Sequence, residues 1–145
     1  MSDVMLRVTG LRKEFHIGGG FAGIGRRSFT AVDDVGFDLA AGRTLGVVGE
    51  SGSGKSTLAR CIVRLVEPTA GSVELEGRDV LSLRGDALKQ FRRTVQIVFQ
   101  DPYGSLNPRL TVGDALDEPL RVHGLGNVVE RQDRVSHLLR TVGLS

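Results

Sequence analysis

The run Gly49-Glu50-Ser51-Gly52-Ser53-Gly54-Lys55-Ser56-Thr57 constrains this chain more than the rest of it together. It fills the pattern G-x-x-x-x-G-K-[ST] with Gly49, Gly54, Lys55 and Ser56, directly after the apolar stretch Leu45-Gly46-Val47-Val48. A strand before the loop and a helix after it are the context that makes this motif meaningful. Glycines let the backbone turn so that successive N–H groups converge on phosphate oxygens. A helix opening at Lys55 adds the positive end of its dipole. The motif assigns Lys55 to the β- and γ-phosphates, the Ser56 hydroxyl to Mg²⁺ and Thr57 to the α-phosphate, with Ser51, Gly52 and Ser53 in the cradle. The pattern implies a site for a nucleoside triphosphate, rather than a glycine-rich turn that merely opens a helix.

The 145 residues amount to one domain's worth of chain, long enough for a core. Charged residues are 25% and apolar ones 40%, ordinary for a soluble globular protein. A net charge of +2, with arginines in scattered pairs such as Arg26-Arg27 and Arg92-Arg93, argues for no nucleic-acid partner. The single cysteine, Cys61, excludes an internal disulfide and reads as a small core residue of an apolar helix. His123 and His137 lack a second ligand at metal-binding spacing and read as surface or helix-face histidines. No apolar run approaches the roughly 20 residues that span a bilayer, and the N-terminus is unlike a signal peptide. The expectation is a cytosolic chain whose membrane role, if any, comes through a partner.

Met5-Leu6-Arg7-Val8 alternates as a half-buried strand, and residues 16 to 28 read as a glycine-rich surface loop. Strands are expected at 35–39, 45–48, 72–76 and 95–99, with a turn at Ala41-Gly42. The helix from Lys55 to about Val66 is apolar on most faces and is expected to be buried beneath a sheet. Asp86 is placed to cap a short basic helix ending near Arg93. Thr111 with Asp114, and Asn127 with Glu130, have the spacing of capping boxes that open two further helices. Val128, Val135, Leu138, Leu139 and Val142 form one stripe in the second of these, and Gly143 reads as its C-terminal cap.

Beyond the phosphate loop, the run V-F-Q-D-P-Y-G-S-L-N-P-R-L-T-V-G, Val98 to Gly113, resembles the Q-loop region of ATP-binding subunits of oligopeptide, dipeptide and nickel ABC importers. The stretch A-V-D-D-V-G-F-D-L, Ala31 to Leu39, points to the same branch. The resemblance runs from near Met5 to the last residue and is to the N-terminal part of such a subunit. It implies an α/β fold: a P-loop NTPase core with an antiparallel β subdomain over 1–101, and the start of a helical subdomain over 102–145. Its cofactors would be ATP and Mg²⁺; its partners would be the importer's permease subunits and a second ATP-binding subunit, on the cytoplasmic face of the membrane. Phe15 would stack on adenine with Val32 against the same base; the less favoured alternative is a core aromatic ending a strand. Gln100 would help coordinate Mg²⁺ and the attacking water, an amide oxygen being suited to a hard cation. Lys55 and Gln100 are thus the two catalytic candidates. Tyr103 to Pro108 would lie near the permease's coupling helix, or form a plain turn around Pro102, Gly104 and Pro108.

No L-S-G-G-Q run, no apolar run ending in Asp-Glu (Walker B) and no switch histidine occurs in the 145 residues. In the family the Walker B strand lies beside the phosphate-loop strand, so 45–48 is expected to have an unpaired edge. On that reading the chain alone folds poorly and hydrolyses ATP negligibly. Other readings are a nucleotide-binding remnant without turnover, a small P-loop kinase, and an ABC-type DNA-repair or translation factor. The kinase has no role for the Gln100-to-Pro108 run, and the importer-like flanks argue against the last.

Overall fold

In the computed structural model, residues 4–17, 27–101, 104 and 106–144 are described. They divide into two units, Met1–Gln96 and Ile97–Ser145. Strands β1 (Val4–Ile17) and β2 (Arg27–Ala40) form a long antiparallel hairpin, and β3 (Ala70–Leu75) pairs with the other edge of β1. The two-residue β4 (Arg78–Asp79) completes a four-stranded sheet of order β2-β1-β3-β4. Helices α1 (Lys55–Ile62) and α2 (Gly85–Thr94) belong to the same unit.

Alternation explains the sheet. Val8 on β1, Val32 on β2 and Val73 on β3 turn to one face, where they are buried with Leu11, Leu58 and Cys61 of α1, Val80 and Phe91 of α2. On the exposed side Arg7 and Asp38 stand opposite each other in register, with two guanidinium–carboxylate bonds of 2.9 and 3.0 Å. Arg64 is the one buried charge among the described residues, 6% exposed. Its guanidinium donates to the carbonyls of Val80 and Leu83, at 3.1 and 2.6 Å, and to Glu67 at 2.8 Å. That ties the end of α1 to the segment between β4 and α2.

Several expectations are corrected. Residues 16–17 and 27–28 of the anticipated loop are strand, because β1 and β2 keep pairing out to Ile17 and Arg27. Leu45–Val48 and Val95–Phe99 are not strands; a strand exists through its ladder, and neither segment has a partner among the described residues. Leu45, Val47 and Val48 are exposed, as are Val98 and Phe99. The sheet is accordingly antiparallel throughout, and the core forms without residues 43–50. Helix α1 stops at Ile62 and buries only Leu58 and Cys61, leaving Ala59 and Leu65 exposed. Asp86 sits inside the first turn of α2, whose N-cap is Arg84 without a side-chain cap bond. Of the glycine-rich loop and the turn after the Q-loop, residues 18–26, Pro102, Tyr103 and Ser105 lie outside the described residues.

In the second unit, α3 (Val112–Val122) and α4 (Val128–Thr141) follow one another, and Arg131 Nε donates to Asp117 at 2.8 Å between them. Both open with the predicted reciprocal boxes, Thr111 with Asp114 and Asn127 with Glu130. Both close alike. Gly143 N–H donates to Arg140 O at 3.1 Å and Leu144 N–H to Leu139 O at 2.9 Å; Gly124 and Leu125 make the same pair of bonds to Arg121 and Leu120. Within the predicted stripe of α4, Val135, Leu138 and Leu139 are half-buried while Val128 and Val142 are exposed.

Arg64→Ala removes three hydrogen bonds and leaves the buried Val80 carbonyl only the 3.4 Å bond from the Leu83 N–H, so a loss of about 2–3 kcal/mol is expected. Urea denaturation measures it, and an unchanged midpoint refutes the tie. The Thr111 hydroxyl and backbone N–H hold the Asp114 carboxyl below the usual carboxylate range. The box is therefore at full strength above the ordinary carboxylate pKa and is lost as pH falls through Asp114's own lower value. An NMR titration of the Thr111 amide checks this, and Asp114→Asn should remove the transition.

Candidate nucleotide-binding site

Helix α1 starts at Lys55 with Gly54 as N-cap, φ +90°, and no side chain caps it. Its first-turn N–H groups thus have neither an intrahelical nor a side-chain acceptor and face the loop. A side chain at Gly54 is excluded twice over: the backbone is left-handed there, and a Cβ would overlap the carbonyl oxygen of Ala31 on β2. This close approach seats the helix start directly on the hairpin.

Above it, the loop folds over its own lysine. Lys55 Nζ donates to the carbonyls of Gly49 at 2.8 Å and Glu50 at 2.6 Å, and to Ser53 Oγ at 3.2 Å. Ser53 N–H donates to Glu50 O at 3.2 Å. The ammonium therefore lies at the mouth of the loop, held by neutral acceptors that an anion would outcompete, since bonds between charged partners are about twice as strong.

The loop forms one wall of a cleft of about 180 Å³, lined by Gly52, Ser53, Gly54, Lys55, Ser56 and Thr57 on one side and by Phe15, Phe29 and Ala31 of the hairpin on the other. Phe15 is 38% exposed and so is not a core aromatic. The Lys13 ammonium stands 5.0 Å from its ring centre. Val32, by contrast, is 5% exposed, buried in the core beneath Gly54 and outside the cleft lining. Gly49 and Ser51 belong to the loop but not to the lining. Gln100 is exposed and lies in the second unit. Among the described residues no group of three or more His, Cys, Asp or Glu could hold a metal ion. A cation here would have to take hydroxyl and phosphate oxygens, the donor set that Ser56 and a bound nucleotide provide.

Phe29, like Ala31, is a cleft residue that sequence reasoning missed. It lies beside a stretch read as loop, and only the hairpin register, which pairs it with Phe15, brings it to the site.

A backbone cradle, a lysine at its mouth and an uncapped helix N-terminus define a phosphate-binding loop of the P-loop class. A family model described as ABC transporter matches residues 32–145, and the chain belongs to the ABC transporter family. It is 48% identical over its full length to the probable peptide ABC transporter ATP-binding protein y4tS of Sinorhizobium fredii (strain NBRC 101917 / NGR234), of which it covers 41%. It is 46% identical over 142 residues to the glutathione import ATP-binding protein GsiA of Salmonella paratyphi A (strain ATCC 9150 / SARB42), covering 98% of this chain and 23% of GsiA. Among solved structures it is similar to the ATP-binding cassette MJ0796, determined as a dimer in a post-hydrolysis state bound to ADP and Pi. The TM-score is 0.74 at 27% identity, over 97% of this chain and 58% of that one. The chain thus spans less than half the length of the curated relatives it matches.

Gly54→Ala should both strain the backbone and push α1 off Ala31, at a cost on the order of 2–4 kcal/mol. Gly52→Ala, with φ +82° but nothing within 4 Å of the new Cβ, should cost only the strain. Thermal denaturation of the pair checks the order; equal losses refute the seating of Gly54 on β2.

Proposed function

We propose that this chain is the nucleotide-binding part of an ATP-binding subunit of an ABC importer for peptides or a small peptide such as glutathione. One observation carries the reading: the phosphate loop, the uncapped start of α1 and Phe15 share a single cleft. The 48% and 46% identities to ATP-binding proteins of peptide and glutathione import support the choice of transport system.

ATP would enter with its phosphates on the loop. Lys55 then exchanges its carbonyl partners for the β- and γ-phosphates, while the N–H groups at the start of α1 hold oxygens along the chain of phosphates. Ser56 would hold Mg²⁺ by its hydroxyl. When bound, the ion would supply neutralisation of phosphate charge. Phe15 offers its ring to the adenine. The proposed partners are permease subunits, which place the chain on the cytoplasmic face of the membrane, and a second ATP-binding subunit, as MJ0796 is dimeric. No helix among the described residues is long and apolar enough to cross a membrane itself.

Calorimetric titration with Mg·ATP tests the reading. Lys55→Ala should weaken binding roughly 10- to 100-fold, the worth of a charged hydrogen-bond donor. Unchanged affinity would remove Lys55 from the phosphate site.

A further inference from the structure

Phe29 is a large apolar side chain left 53% exposed, so core burial does not account for it. It stands opposite Phe15 in the β1–β2 register, and directly opposed residues of an antiparallel pair project to the same face. Both rings line the cleft whose other wall is the phosphate loop. Among the described residues the hairpin side of that cleft is Phe15, Phe29 and Ala31, which offer aromatic and methyl surface and no side-chain donor or acceptor. Among the described residues every polar side chain lining the cleft belongs to residues 53–57, the phosphate end. Lys13, the charged neighbour of Phe15, is bonded to the Glu67 carbonyl at 2.7 Å and does not line the cleft.

We propose that Phe29 is a second base-contacting residue, forming with Phe15 a two-ring platform that holds the nucleobase by surface contact and without reading its edge. The proposal rests on the nucleotide-binding function above and adds a residue and a specificity to it. Stacking engages the face that all bases share, whereas discrimination between adenine and guanine needs hydrogen bonds to edge groups that differ. ATP and GTP are therefore ligands of comparable affinity, and the phosphates set the strength of binding.

The test is calorimetric titration of the purified chain with ATP, GTP and inorganic tripolyphosphate, the last reporting on the phosphate loop alone. ATP and GTP should bind within tenfold of each other. Phe29→Ala should weaken both nucleotides roughly 5- to 100-fold, the range for loss of one aromatic–base contact, and leave tripolyphosphate unchanged. Phe29→Tyr should restore nucleotide affinity. The proposal is overturned if Phe29→Ala binds ATP as the parent chain does, if it weakens ATP and tripolyphosphate alike, or if ATP and GTP differ by more than tenfold. Should Phe29→Ala fail to fold by circular dichroism, Phe29→Leu, which keeps the bulk and loses the ring, is judged by the same criteria. A parent chain that binds tripolyphosphate but neither nucleotide defeats this proposal alone; one that binds none of the three defeats the nucleotide-binding function as well.

Discussion

The contact on which the site depends is between the backbone of Gly54 and the carbonyl of Ala31. It brings the first turn of α1 so near β2 that no side chain fits between them. Leu58 and Cys61, one and two turns further along, then sink into the same valine-rich face of the hairpin. Van der Waals packing thereby fixes the direction of the helix, and with it the direction of its free N–H groups and its dipole. The hairpin contributes more than support: the strands that carry the buried valines also carry Phe15 and Phe29 to the mouth of the loop. One piece of packing thus sets the phosphate end and the aromatic end of the cleft at once.

The lysine is arranged by a different principle. Its ammonium is bonded to two main-chain carbonyls and a hydroxyl, so the loop has a defined shape through neutral acceptors. Exchange of those acceptors for an anion strengthens the bonds without requiring the helix or the hairpin to move. Buried polar atoms elsewhere are satisfied too: among the described residues no buried side-chain nitrogen or oxygen lacks a partner. Arg64 accounts for the deepest of them, converting what would be an isolated buried charge into a three-point tie.

What the sequence made legible was local. The phosphate loop, the two capping boxes and the Gly143 closure each depend on residues within a few positions of one another, and each is found where the residues place it. The misses are mostly non-local, the Asp86 cap being the local exception. Leu45–Val48 and Val95–Phe99 have the composition of strands, but pairing is a property of two segments and no described neighbour supplies it. The lengthening of β1 and β2 into the presumed loop, and the meeting of Phe29 with Phe15, follow from hairpin register, which apolar alternation at one end does not reveal. Burial of α1 on most faces is not observed because only its Leu58 and Cys61 reach the core.

The paired start and stop signals of α3 and α4 have a kinetic consequence. Neither helix contains a buried residue, yet each is closed at both ends by bonds spanning three to five positions. Such contacts carry almost no loop-closure entropy, whereas β1 must find β3 across more than fifty residues, from Arg12 to Ala70. Local elements form on microsecond timescales or faster, and long-range sheet pairing is the slow event. When the whole chain refolds from the unfolded state, the later half therefore forms its helical turns while the earlier half is still searching for its register.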